Sequence, residues 1–233
     1  MKKLSCLALF TLLFFSSFAS AQCGSGCYFY SGDFDPNDPN ANYLSNENDS
    51  TVPNTSGNYP VGAATYQNFD IDPTQGPVTV TGLFTNNMSD FKAKTTSAYW
   101  EICYGLNTAP ACPFSGLASG ANFPTPTATG RSYGPYTEWH YLVTGLSVTL
   151  DPKVATKWWL AVVPQDPTSA TACKTSLRSF NSTGSGINRI GKETDNLQFW
   201  RSPLYTLNQF LNANTQGVFP IFSGGVCVGP GPC

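Results

Sequence analysis

Residues 96–105, TSAYWEICYG, decide the fold. Side chains alternate across an extended chain, so Trp100, Ile102 and Tyr104 fall on one side and Tyr99, Glu101 and Cys103 on the other. That period of two is the pattern of a strand with two distinct faces. Residues 136–150, YTEWHYLVTGLSVTL, repeat it, with Trp139, Tyr141 and Val143 on one face and Glu138 and His140 opposite. Residues 156–164, TKWWLAVVP, are almost continuously apolar, as a central strand is when both its faces are covered.

Outward from these three segments, VGAATYQNFDI (61–71) and PVTVTGLFT (77–85) read as strands bounded by Asp-Pro and Asn-Asn turns. LRSF (177–180) and LQFWR (197–201) read as shorter strands, and the Pro-rich stretches 109–126 and 164–168 as loops. About seven to nine strands with turns between them predict an all-β protein, a two-sheet antiparallel β-sandwich of jelly-roll kind. There is no internal repeat and no linker that would divide a second domain.

Residues 1–21 are set apart from the fold. Lys2 and Lys3, the short apolar run LALFTLLFF and the small residues Ala19-Ser20-Ala21 form a secretory signal peptide, so residues 22–233 are expected to be a single exported β-sandwich domain with cysteines near both ends. Cys23 follows Gln22 rather than a small residue, which argues against a lipid anchor. No later run is long and apolar enough for a membrane span.

Charge divides the chain. Between Gln22 and Phe91 there are eight acids and no lysine or arginine, whereas Lys92 onward has ten basic residues against six acids. The basic residues are scattered singly, which excludes the clustered cationic face a nucleic-acid binder needs. Of the 8 cysteines, Cys6 lies in the signal, leaving seven that export would favour as disulfides. Cys103 and Cys112 flank YGLNTAPA, a turn-rich segment, and are predicted to form a bridge. Cys23, Cys27, Cys227 and Cys233 are open to pairing within or between the termini, and Cys173 is the odd thiol by elimination unless it bridges to one of them. With one histidine and no paired CxxC spacing, zinc is disfavoured.

The succession GDFDPNDPNANYLSNENDS, GAATYQNF, VTGLFTNNMSD, TSAYWEICYG, TATGRSYGPYTEWHYLVTGLSVTL, KWWLAVVPQ, LRSFNSTGSGINRIG and FPIFSGGV resembles a family of secreted bacterial β-sandwich proteins, some with cell-surface sorting tails. The resemblance covers most of the chain after residue 21 and implies an exterior location, but no particular activity. The closing GGVCVGPGPC does not read as a sorting tail.

Candidate site residues follow from chemistry. Glu101 and Glu138, on strands beside aromatics, would serve an extracellular glycoside hydrolase if the strands were neighbours, because a carboxylate pair flanking a sugar bond acts as acid and nucleophile. Their simpler reading is as solvent-face glutamates. Glu138 and His140 would alternatively orient one another as an acid/base dyad. Trp158 and Trp159 must send their rings to opposite faces, so one of them is a candidate platform for stacking a sugar in a carbohydrate-binding or cell-surface-binding module. Asp33, Asp35, Asn37 and Asp38 are candidate calcium ligands, since hard cations take oxygen ligands from alternate loop residues. The loop is no EF-hand: Asp38 stands where glycine is needed and Leu44 where the bidentate glutamate belongs. The reading favoured by the whole is a non-catalytic binding or structural module.

Overall fold

The computed structural model describes residues 25–34, 37, 43–46, 63–89, 95–106, 111–165, 179–184, 190–191, 197–202, 207–212 and 221–229. Residues 1–21, where a signal peptide is expected, and Cys23, Cys173 and Cys233 lie outside them.

Two antiparallel sheets make up the fold, as the alternation requires. One contains β1 (Cys27–Tyr30), β2 (Tyr43–Ser45), β4 (Val78–Ser89), β7 (Thr127–Tyr133), β8 (Tyr136–Val143), β9 (Val148–Leu150), β11 (Ser179–Gly184), β14 (Ile221–Phe222) and β15 (Gly224–Val228). Its organiser is β4, which pairs with β15 and β11 along one edge and with β9 and β8 along the other. The second sheet runs in the order β13 (Leu207–Asn212), β12 (Leu197–Ser202), β3 (Ala64–Asp70), β10 (Lys157–Pro164), β5 (Ser97–Tyr104) and β6 (Ala111–Ser119). No α-helix occurs among the described residues; a single 3-10 turn, Gly120–Asn122, leads from β6 to β7.

The core lies between the sheets. Ile102, Trp158, Leu160 and Val162 from the second sheet meet Leu83, Tyr141, Val143 and Val226 from the first. Trp100 and Trp139 pack against this cluster, as their alternation requires. Burying a large apolar side chain contributes about 1.5–3 kcal/mol, so this layer dominates the favourable side of folding. On the second sheet the opposite face is also buried: Tyr66, Tyr99, Cys103, Trp159, Ala161 and Val163 form a separate cluster. Hence β10 is apolar at nearly every position.

Two expectations fail for identifiable reasons. Asn86 and Asn87 do not turn the chain but sit within β4, both 0% exposed. Neighbouring groups satisfy their amides: Asn87 donates to the Asn46 carbonyl and Ser179 Oγ, and Asn86 to Ser223 Oγ. A residue that favours turns because of its polar side chain is accommodated in a strand when the surroundings meet its hydrogen bonds. The stretch 109–126 is not all loop either, because Ala111–Ser119 is β6. Its proline is tolerated because, among the described residues, β6 pairs only with β5, and Pro113 is exposed at a register shift in that ladder.

Candidate functional site

The β7–β8 hairpin turns at Tyr133-Gly134-Pro135-Tyr136, with Gly134 at φ 55, a left-handed conformation that a side chain would disfavour. Because Trp139, Tyr141 and Val143 face the core, Glu138 and His140 point to the outer side of the first sheet. There they join a continuous chain of polar contacts. Thr129 Oγ1 and Arg131 Nε each donate to Glu138 Oε2 at 2.6 Å. The Arg131 guanidinium also lies 2.9 Å from Asp33 Oδ1, which accepts the Tyr30 hydroxyl at 2.5 Å. Asn86 Nδ2 donates to the Tyr30 oxygen at 3.2 Å, and Asn86 Oδ1 lies 3.0 Å from His140 Nδ1. Since an amide oxygen only accepts, Nδ1 carries the proton in the neutral ring.

One cation is thus shared by two carboxylates in a largely desolvated setting: Glu138 is 0% exposed and the Asp33 side chain 10%. Burial works against the Arg131 charge, but Glu138 and then Asp33 outweigh it and raise its pKa. Burial, reinforced by Asp33, raises Tyr30 well above its ordinary value, so it remains a donor. His140 is pushed down to about 4, first by burial and then by the Arg131 cation. The imidazole is therefore neutral at physiological pH.

Glu101 lies on the other side of the molecule. Ile102 points into the core, so Glu101 faces the outer cluster of the second sheet, where Tyr66 donates to Oε2 at 2.5 Å and Tyr99 to Oε1 at 3.2 Å. It is 1% exposed. Beside it the Sγ atoms of Cys103 and Cys112 lie 2.11 Å apart, the predicted bridge. The carboxylate and both sulfurs fall within 4.8 Å of one another, but sulfurs bonded to each other are not thiolate ligands, so the trio is not a metal site.

These positions correct several expectations. Glu101 and Glu138 are not solvent-face residues; both are buried and hydrogen-bonded. Nor do they share a groove, because each points away from the common core, one from each sheet. Glu138 and His140 share a face, but His140 Nδ1 bonds Asn86 while Glu138 binds Arg131 and Thr129, so they do not form a dyad through that nitrogen. Trp158 and Trp159 do send their rings to opposite faces, yet they are 2% and 1% exposed, and neither offers a stacking platform. Asp33 has its cation partner in Arg131, across the divide between the acid-only and base-containing stretches; a calcium ion there would have to share the carboxylate with the guanidinium. Asn37 is an exposed turn residue, and Asp35 and Asp38 lie outside the described residues.

Sequence reasoning missed Arg131, Tyr30 and Asn86. The available signal was the alternation of Thr129, Arg131 and Tyr133 in TATGRSYG, a strand pattern weakened by Gly130 and Gly134. No family model, curated protein or solved structure matches the chain. No helix among the described residues is long and apolar enough to cross a membrane.

Proposed function

We propose that the protein is an exported, non-catalytic β-sandwich that binds a glycan or another component of the cell exterior, in keeping with the secreted bacterial family it resembles. The observation that carries this reading is the placement of Tyr133. The residue is 39% exposed, its ring meets Phe34 edge-on with centroids 5.9 Å apart, and it lies two residues from Arg131 on an edge strand. An aromatic face beside a braced Arg–Asp pair matches the chemistry of a sugar, whose C–H faces stack on rings and whose hydroxyls take charged hydrogen-bond partners. The partial exposure of Arg131 and Asp33, 15% and 10% at the side chain, keeps both within reach of such a ligand.

A hydrolytic reading through Glu101 and Glu138 loses its support with their separation onto the two outer faces. Export is proposed from the signal-like start, and the Cys103–Cys112 pair is compatible with an oxidising compartment. The test is a glycan array on the protein freed of residues 1–21, with Tyr133→Ala beside it. Binding that drops at least about tenfold in Tyr133→Ala, with the circular dichroism unchanged, supports the assignment. Binding unaffected by the substitution moves the site elsewhere, and turnover of any bound glycan refutes the non-catalytic reading.

A further inference from the structure

We propose that Cys103 and Cys112, together with Glu101, form a thiol–disulfide exchange centre that reacts with low-molecular-weight thiols and disulfides. Three observations place the parts. The two sulfurs differ in access: Cys103 is 0% exposed, whereas Cys112, on edge strand β6, is only half-buried. A carboxylate oxygen of Glu101 lies within 4.8 Å of both sulfurs, and it is itself 1% exposed. Trp159, opposite Cys103 in the β10–β5 ladder, brings to this cluster a buried indole N–H with no hydrogen-bond partner among the described residues.

A bridge whose only task is to tie two strands gains nothing from a buried acid beside it. The combination is what exchange chemistry requires. An incoming reagent needs one accessible sulfur, and the other thiol, shielded from solvent, needs a base to take its proton before it can attack. The tyrosine hydroxyls of Tyr66 and Tyr99 donate to Glu101, orienting it as an acceptor.

In the oxidising direction the Cys112 thiolate attacks a small disulfide RSSR, forming Cys112–S–SR and expelling RS⁻, which takes a proton from water. Cys103 then gives its proton to Glu101 as its sulfur attacks the Cys112 sulfur. The Cys103–Cys112 bond forms, the Cys112–SR bond breaks, and the second RS⁻ leaves and collects the proton that Glu101 passes on. Two electrons move from the two cysteines to RSSR, giving two RSH. Reduction by two RSH is the same sequence reversed.

The experiment uses the protein freed of residues 1–21 and folded, in glutathione buffers of stepped ratio, with acid quenching and mass mapping of cysteine adducts. Reduction under native conditions is expected to be confined to Cys103–Cys112, with the glutathione adduct on Cys112. Indole fluorescence should rise with it, because a disulfide quenches a neighbouring tryptophan, and the rise should vanish in Trp159→Phe. Glu101→Gln should slow reoxidation by roughly tenfold to a hundredfold and flatten its dependence on pH. If Glu101→Gln does not fold, Cys103→Ala provides the parallel test, since it should accumulate the Cys112 adduct. Reduction at the rate of global unfolding, an adduct on Cys103, or a Glu101→Gln rate equal to that of the parent would overturn the proposal.

Discussion

Replacing Arg131 by methionine tests the polar chain on the outer face most directly. The substitution keeps most of the stem and removes the charge that Glu138 and Asp33 share. Removing one partner of a buried pair typically costs about 3–5 kcal/mol. Glu138 is 0% exposed, so solvent does not replace the lost cation. Loss of Arg131 also relieves His140 of a repulsion, so proton uptake there in acid destabilises the variant less than the parent. Urea denaturation should therefore show a deficit of about 3 kcal/mol at pH 7 that narrows as pH falls below about 6.5. The double variant Arg131→Met/Glu138→Gln should recover part of the pH 7 loss. A deficit under about 0.5 kcal/mol at pH 7, the ordinary size of a surface substitution, or one that widens in acid, would refute the reasoning.

His140 adds its own pH dependence to the parent protein: its folded pKa is about 4 against an unfolded 6.5, so the unfolded state binds its proton first. Stability from this group is full above pH 6.5 and is lost as pH falls towards 4, by about 2 kcal/mol after allowance for its partial exposure; His140→Gln should flatten that part of a melting-temperature profile. In Gly225→Ala, a Cβ would meet Phe84 ring carbons at 2.3 Å and the Phe29 carbonyl at 2.6 Å, and since the backbone cannot step aside the urea midpoint should fall by the equivalent of about 2–3 kcal/mol. Asp33→Asn should lower the melting temperature equally in chelator and in millimolar calcium, because the partner it loses is Arg131; a loss seen only with calcium present would restore the metal reading of the acidic loop.

The strand pattern of TSAYWEICYG, YTEWHYLVTGLSVTL and TKWWLAVVP carried most of the fold because alternation is enforced by backbone geometry. Trp100, Trp139, Tyr141 and Val143 had only one way to face the core. What alternation does not reveal is whether the second face meets water. Glu101 and Glu138 sit at positions that suit a solvated sheet, yet both are interior residues held by hydrogen bonds, Tyr66 and Tyr99 in one case and Arg131 and Thr129 in the other. Tyr66 is distant in sequence, and although Tyr99, Thr129 and Arg131 are near their glutamates, alternation alone does not report that their side chains turn onto the carboxylates. Cys103–Cys112 was legible because its loop is short and its turn residues are local. β6 was not, since a proline at an edge gives the same composition as a loop.

The Asn86-Asn87 misreading points to how a chain with few charges fixes the register of its sheets. Asn181 donates to Thr85 Oγ1 at 2.6 Å and accepts from the Ser223 amide at 2.9 Å, while Asn46 donates to the Val162 carbonyl of the opposite sheet at 2.9 Å. Each of these side chains is 0–3% exposed. A one-residue slip of β11 or β4 would leave several of these amides buried without partners, at about 1–3 kcal/mol apiece, whereas an all-apolar interior would penalise the same slip far less. Neutral amides do this with a smaller desolvation cost than ion pairs. The abundant Asn, Ser and Thr that read as turn-formers in the sequence thus partly serve as register markers inside the sandwich. That leaves the few charged groups to be held in fixed positions on its two outer faces, where Arg131 and Glu101 are found.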